Sequence, residues 1–235
     1  MESNKLDVRV YPIDEPQGST KAFASVAVDD LIAIRGVRVV DGEKGLFVSM
    51  PQTQDKKTNE YHDIAFPLSK EFREEISNAV LDEYEVTSNL DPEHRGYENP
   101  EKDAASEVDI SGVKLDVRVY PLDDPKGNTK AFASVSVDDK IAIRGIRVVE
   151  DEYSTSVVMP QSKDGNKKSR DVAFPINGDL RKEINRAILD EYKAAEKTAS
   201  KSLANGLRKG AEKAAQNAAV PRDAAAAKKA PGLGD

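Results

Sequence analysis

The chain has 235 residues, with 35 Lys+Arg against 42 Asp+Glu, no Cys and no Trp. That length allows one large or two small domains. Zero cysteine removes disulfides, thiolate metal sites and cysteine nucleophiles, and two histidines are too few for a multi-histidine metal site or a histidine relay.

No apolar run approaches the ~18 residues of a membrane span. The start, MESNKLDV, lacks the apolar core of a signal peptide. The expectation is a soluble, cytoplasmic protein with no metal or cofactor.

The sequence duplicates itself. Leu6–Gln52 aligns without a gap on Leu115–Gln161, with 33 identities in 47 positions. After a one-residue loss in a loop, HDIAFPLSKEFREEISNAVLDEYE answers RDVAFPINGDLRKEINRAILDEYK. Each copy, about 80 residues, is long enough for a small domain. Four segments follow: repeat 1 at 1–86, an acidic flexible linker at 87–112, repeat 2 at 113–193, and a tail at 194–235.

Within one copy, Leu6, Val8 and Val10 alternate with Asp7 and Arg9, the pattern of a half-buried strand. Pro12, Pro16 and Gly18 punctuate a loop. Ala22–Val28 reads as a second strand, Asp29-Asp30 as a tight turn rather than a metal or acid/base carboxylate pair, and Ile32–Val40 as a third strand with Gly36 a candidate bulge. Phe47–Met50 is a fourth strand. A polar loop follows, then a short strand Asp63–Phe66 ended by Pro67.

The last element is a helix. Phe72, Ile76, Ala79, Val80 and Tyr84 fall on one face of a 3.6-residue period, as do Leu180, Ile184, Ala187, Ile188 and Tyr192. Each copy is thus a mostly antiparallel sheet carrying one helix, an α+β unit. In the tail, Ala and Lys favour helix to about Asn217, and Pro221, Pro231 and the glycines predict a disordered end.

The order of blocks resembles the SpoVG family of septation and sporulation regulators. RGVRVVDG (35–42), GLFVSMP (45–51), HDIAFP (62–67) and AVLDEY (79–84) recur in order, with VVMP (157–160), RDVAFP (170–175) and AILDEY (187–192) as counterparts. The family usually has histidine where Phe66 and Phe174 stand, and repeat 2 carries Ser154-Thr155-Ser156 in place of GLF. The resemblance implies a small α+β domain that dimerises, a DNA- and RNA-binding regulator, and no enzymatic activity. It also implies that the loop after the MP motif, arginine-rich in the family, lies at the nucleic-acid surface.

Charge divides unevenly. The net is −7 for residues 6–86, −5 for 87–112, +1 for 113–193 and +4 for 194–235. A domain at −7 is repelled from a polyanion unless its cations share one face. Repeat 2 with the tail is the expected contact half, and repeat 1 the partner that completes an intramolecular pseudo-dimer; pairing between chains as a homo-oligomer is the other arrangement.

Nucleic-acid candidates are Lys163, Lys167, Lys168 and Arg170 in the repeat 2 loop, Lys56 and Lys57 in the repeat 1 loop, and the strand arginines Arg144 and Arg147 with their counterparts Arg35 and Arg38. The arginines of a pair face opposite sides of a strand unless Gly36 or Gly145 is a bulge, and at least one of each pair is expected to meet a local carboxylate. The tail cations Lys197, Lys201, Arg208, Lys209 and Lys213 read as solvated, the alternative being that they follow a phosphate backbone without reading bases.

Asp63 and Asp171 read as buried carboxylates pairing with Arg38 or Arg147. Tyr11, Phe23, Tyr120 and Phe132 read as core or interface rather than as base-stacking groups. His62 has Arg170 as its counterpart and His94 lies in the linker, so neither is a catalytic candidate. No nucleotide-binding glycine motif occurs. The rival function is a protein–protein interaction module of the same fold without nucleic-acid contact.

Overall fold

The structure, a computed structural model, describes residues 4–55, 58–91, 93, 108–125, 127–163 and 168–218; from 199 on, Lys209 is the one side chain described. The expected linker therefore lies largely outside the described residues, as do His94, Pro221 and Pro231.

In repeat 1, β1 (Leu6–Pro12) and β2 (Thr20–Val28) pair antiparallel, and β2 pairs β3 (Ile32–Gly42). The hairpin between β2 and β3 turns at Asp29 and Asp30, which hold φ 51° and 54°. Two successive left-handed residues match the twist of the flanking strands, and aspartate tolerates that region where branched residues do not. The Leu31 N–H donates to the Val28 carbonyl at 2.9 Å and closes the turn.

Along β2 the buried residues are Ala22, Ala24, Val26 and Val28, the period of two that a one-sided sheet requires. Helix α1 (Lys70–Ser88) packs across β1, β2, β3 and β4 (Gly45–Ser49). Ser69 caps it by accepting the Phe72 N–H at 3.0 Å. Phe72, Ile76 and Val80 are buried, with Ala79 and Tyr84 half-buried.

Repeat 2 builds the same unit from β8 (Leu115–Pro121), β9 (Thr129–Val137), β10 (Ile141–Glu150) and β11 (Thr155–Val158). Its helix α2 (Gly178–Ala218) is capped by Asn177, which accepts the N–H groups of Asp179 and Leu180 at 2.8 and 3.0 Å. Leu180, Ile184, Ile188 and Tyr192 form its buried face. The fold class is α+β: two repeats, each an antiparallel sheet followed by a helix packed on it.

The expected single strand Asp63–Phe66 is two strands with different partners. After β5 (Gln52–Gln54), β6 (Tyr61–Asp63) closes a local hairpin on it. The chain then crosses over. β7 (Ala65–Pro67) pairs not with its own sheet but with Ile141–Ile143 of β10 in repeat 2.

Repeat 2 does the reverse. β12 (Gln161–Lys163) and β13 (Ser169–Asp171) form the hairpin, and β14 (Ala173–Pro175) pairs with Ile32–Ile34 of β3. A three-residue strand holds no register by itself, and only a partner edge decides where its backbone groups are satisfied.

The exchange continues in the flanking backbone. Arg35 N–H donates to the Val172 carbonyl and Arg144 N–H to the Ile64 carbonyl, both at 2.7 Å. One hydrophobic cluster contains Ile34, Ile76 and Val80 together with Ile143, Ile184 and Phe174. Residues 1–194 form one unit; 195–235 form a second, helical to Ala218. Among the described residues no helix is long and apolar enough to cross a membrane.

Candidate nucleic-acid interface

The bulge at Gly36 organises the site. Arg35 lies opposite Ser25 and Val37 opposite Ala24, so Gly36 is one extra residue in β3, with φ 73°. An added residue in one strand restores the same facing on both sides of it. Arg35 and Arg38, three apart, therefore share the face away from α1, between buried Ile34, Val37 and Val39. Gly145 repeats this at φ 75°, between Ile143 opposite Val135 and Ile146 opposite Ala133, and puts Arg144 and Arg147 on one face of β10.

The bulge also marks a change of partner. Before it, β3 pairs with β14 of repeat 2; after it, with its own β4. Hence Arg35 meets repeat 2 directly, its guanidinium 4.8 Å from the centre of the Phe174 ring, and Arg144 lies 4.6 Å from the ring of Phe66. Each contact is worth on the order of 1 kcal/mol and holds an arginine side chain in place between the repeats.

A cleft of about 470 Å³ opens beside Arg35. Repeat 1 lines it with Phe23, Arg35, Arg38 and Tyr61, and repeat 2 with Lys163 and Arg170 from the β12–β13 hairpin. Asp171 is a carboxylate of the lining; it accepts from Gln161 at 3.0 Å and faces Arg181 at 3.9 Å. Arg38 donates to the Ser49 hydroxyl at 3.1 Å, not to the carboxylate expected of it.

Asp63 and Asp171, expected to pair with Arg38 and Arg147, instead face the helix arginines Arg73 at 3.3 Å and Arg181 at 3.9 Å, and are partly exposed rather than buried. Spacing along the chain cannot show that β6 and β13 run beside the first turn of the following helix.

Of the sequence candidates, Lys163 and Arg170 are exposed and line the cleft. Lys168 is exposed on the same hairpin but is not part of the lining. Arg144 and Arg147 belong to the equivalent surface of repeat 2, Arg147 opposite Phe132. Lys56, Lys57 and Lys167 lie outside the described residues. Repeat 1, expected as the partner domain with repeat 2 the main contact half, supplies two of the four cations of the cleft, Arg35 and Arg38.

The aromatics depart from expectation. Phe23 is 46% exposed, Phe132 43% and Tyr120 56%, and Tyr11 is half-buried. The alternation held the signal: Ala22 and Ala24 take the inner face, so Phe23 must point out. Tyr61, 64% exposed at the cleft, had no sequence signal. Among the described residues no group of three His, Cys, Asp or Glu could hold a metal ion.

Comparison with known proteins gives a family match over both repeats. The SpoVG family model matches residues 3–86 and 113–194. SpoVG proteins named for septation are similar over the length of one repeat. That of Clostridium perfringens is 40% identical over 88 residues, 37% of this chain and 96% of the relative. Those of Archaeoglobus fulgidus and Heliobacterium modesticaldum are 43% and 46% identical over 79 residues, 34% of this chain and 91% and 86% of the relatives.

Proposed function

The chain belongs to the SpoVG family, and from that premise we propose that it is a nucleic-acid-binding regulator whose two repeats act as an intramolecular pseudo-dimer. Reciprocal strand exchange supports the pairing: β7 lies on β10 and β14 on β3. The observation that carries the binding function is the convergence of Arg35, Arg38, Lys163 and Arg170 on one cleft.

A chain with net charge −7 binds a polyanion only through a local concentration of cations, and the two repeats supply one jointly. Neither the arginines of β3 nor the β12–β13 hairpin makes that surface alone. Backbone phosphates are the natural ligand, since each neutralised phosphate releases condensed counterions.

Gel shift with mixed genomic fragments and with RNA tests this. Four phosphate contacts give a slope of about −3.6 in log affinity against log salt on duplex fragments and about −2.8 on single strands, losses of roughly 150-fold and 50-fold between about 50 and 200 mM. The double substitution Lys163→Glu, Arg170→Glu is expected to abolish the shift while circular dichroism stays unchanged. Absence of any shift at low salt with the folded protein overturns the reading. Sedimentation is expected to give the single-chain mass of 25.6 kDa; a dimer of chains at micromolar concentration overturns intramolecular pairing.

A further inference from the structure

The face of the repeat 1 sheet turned away from α1 carries two transverse rows. Strand register places Tyr11 opposite Phe23, Phe23 opposite Arg38 and Arg38 opposite Ser49. The adjacent row is Arg9 opposite Ser25 opposite Arg35. Directly opposed residues project from the same face. Arginine and aromatic groups therefore stand side by side across three strands, and Phe23, Arg35 and Arg38 extend them into the cleft where Tyr61, Lys163 and Arg170 stand.

We propose that this face is a stacking platform for single-stranded nucleic acid, with one base on Phe23, a second on Tyr61, and the intervening phosphates on Arg38, Lys163 and Arg170. The inference rests on the binding function proposed above and adds its substrate class.

Two features favour a single strand over a duplex. An exposed ring beside a guanidinium offers a π-face, which a base can meet only when it is unstacked from its own neighbours. In a duplex the base faces are already occupied, and the phosphates alone would be bound; bare phosphate binding needs no aromatic surface. The exposed Phe23 and Tyr61 gain burial only in the single-stranded case.

The platform is also one-sided. Repeat 2 repeats the first row as Tyr120–Phe132–Arg147, and Arg118 stands opposite Ser134. The residues of repeat 1 that correspond to Lys163 and Arg170 are Gln54 and His62, and Ser169 stands where repeat 1 has Tyr61. Among the described residues the Phe132 platform thus has no counterpart of the Lys163–Arg170 cation pair from the opposite repeat, and the Phe23 platform is the assigned site.

The test uses the full chain with a fluorescent single strand of about 12 nucleotides, as DNA and as RNA, and the blunt DNA duplex of the same sequence, read by anisotropy at one salt concentration. Either single strand is expected to bind at least tenfold more tightly than the duplex. Phe23→Ala is expected to weaken single-strand binding about 5- to 150-fold, the fold-change of one lost base stack, and to leave duplex binding unchanged. Phe132→Ala is expected to lose less.

Phe23→Trp places a single tryptophan in a chain that has none, and its fluorescence is expected to be quenched by the single strand. Phe23 is half-exposed, so these variants retain the fold, with circular dichroism as the check. Equal or tighter binding of the duplex overturns the inference and leaves the proposed function standing. Equal losses for Phe23→Ala and Phe132→Ala overturn the assignment to repeat 1. Binding of none of the three probes overturns both this inference and the function on which it rests.

Discussion

Replacing Gly36 by alanine isolates the bulge that sets the candidate interface. The added Cβ would meet Pro51 Cβ at 3.9 Å, an ordinary contact, so crowding contributes nothing. The cost is conformational: at φ 73° an L-residue is strained by about 1–2 kcal/mol. Stiffening of the unfolded chain offsets less than about 1 kcal/mol of this, which leaves a loss of about 1 kcal/mol.

For a unit of this size that loss lowers Tm by about 2–4 °C. Gly178, at the start of α2, has no positive φ and open space around its Cβ position. Gly178→Ala is expected to stabilise by about 0.5 kcal/mol, the opposite sign. Paired urea titrations of the two variants are the assay, with Gly36→Asn expected to lose less than Gly36→Ala because asparagine enters the left-handed region more readily. A Gly36→Ala protein as stable as the parent refutes the argument that this position requires a left-handed residue.

Lys140 Nζ lies 2.6 Å from Asp29 Oδ2 across the two repeats, with both side chains partly exposed; Lys140→Ala is expected to cost about 0.2–1 kcal/mol, vanishing near 1 M salt, and a loss above about 2 kcal/mol in urea titration refutes this. Ile184 is fully buried in the cluster that joins both repeats, so Ile184→Ala is expected to cost about 2–5 kcal/mol and to speed hydrogen exchange in β1–β3 as well as β8–β10; unchanged exchange in β1–β3 refutes the shared core. The Asp30 and Asp139 carboxylates, hydrogen-bonded to Lys5 and Lys114, hold those ammonium pKa values above the ordinary lysine value. A raised folded-state pKa means that the stabilisation is complete below the unfolded value and lost as pH rises through the folded one. Alkaline stability is therefore expected to fall less steeply in the double variant Asp30→Asn, Asp139→Asn, and equal slopes between about pH 10 and 12 refute it.

Most of the elements were legible one at a time. The period-two run Ala22–Val28 placed β2, the aspartate pair its turn, and the 3.6-residue spacing of Phe72, Ile76 and Val80 the buried face of α1. These depend on neighbours within a few residues, where steric preference and one-sided burial act directly on the chain. Duplication likewise needed only the alignment of the chain on itself. The candidate site was legible in part: the Lys163 to Arg170 hairpin and the strand arginines stood out as cations, and Gly36 as the residue on which their facing depended.

Where Ala65–Pro67 and Ala173–Pro175 pair was a tertiary decision. Each is three residues long, and its local pattern is satisfied equally by its own sheet or the other repeat's; the winner is the edge left open beside Ile32–Ile34 and Ile141–Ile143. That choice brings Lys163 and Arg170 to Arg35 and Arg38, over 120 positions away in the chain, and gives the two β3–β14 and β10–β7 seams one core. Local sequence carries propensity and burial; which distant backbone meets an open strand edge is settled only when all the edges compete at once.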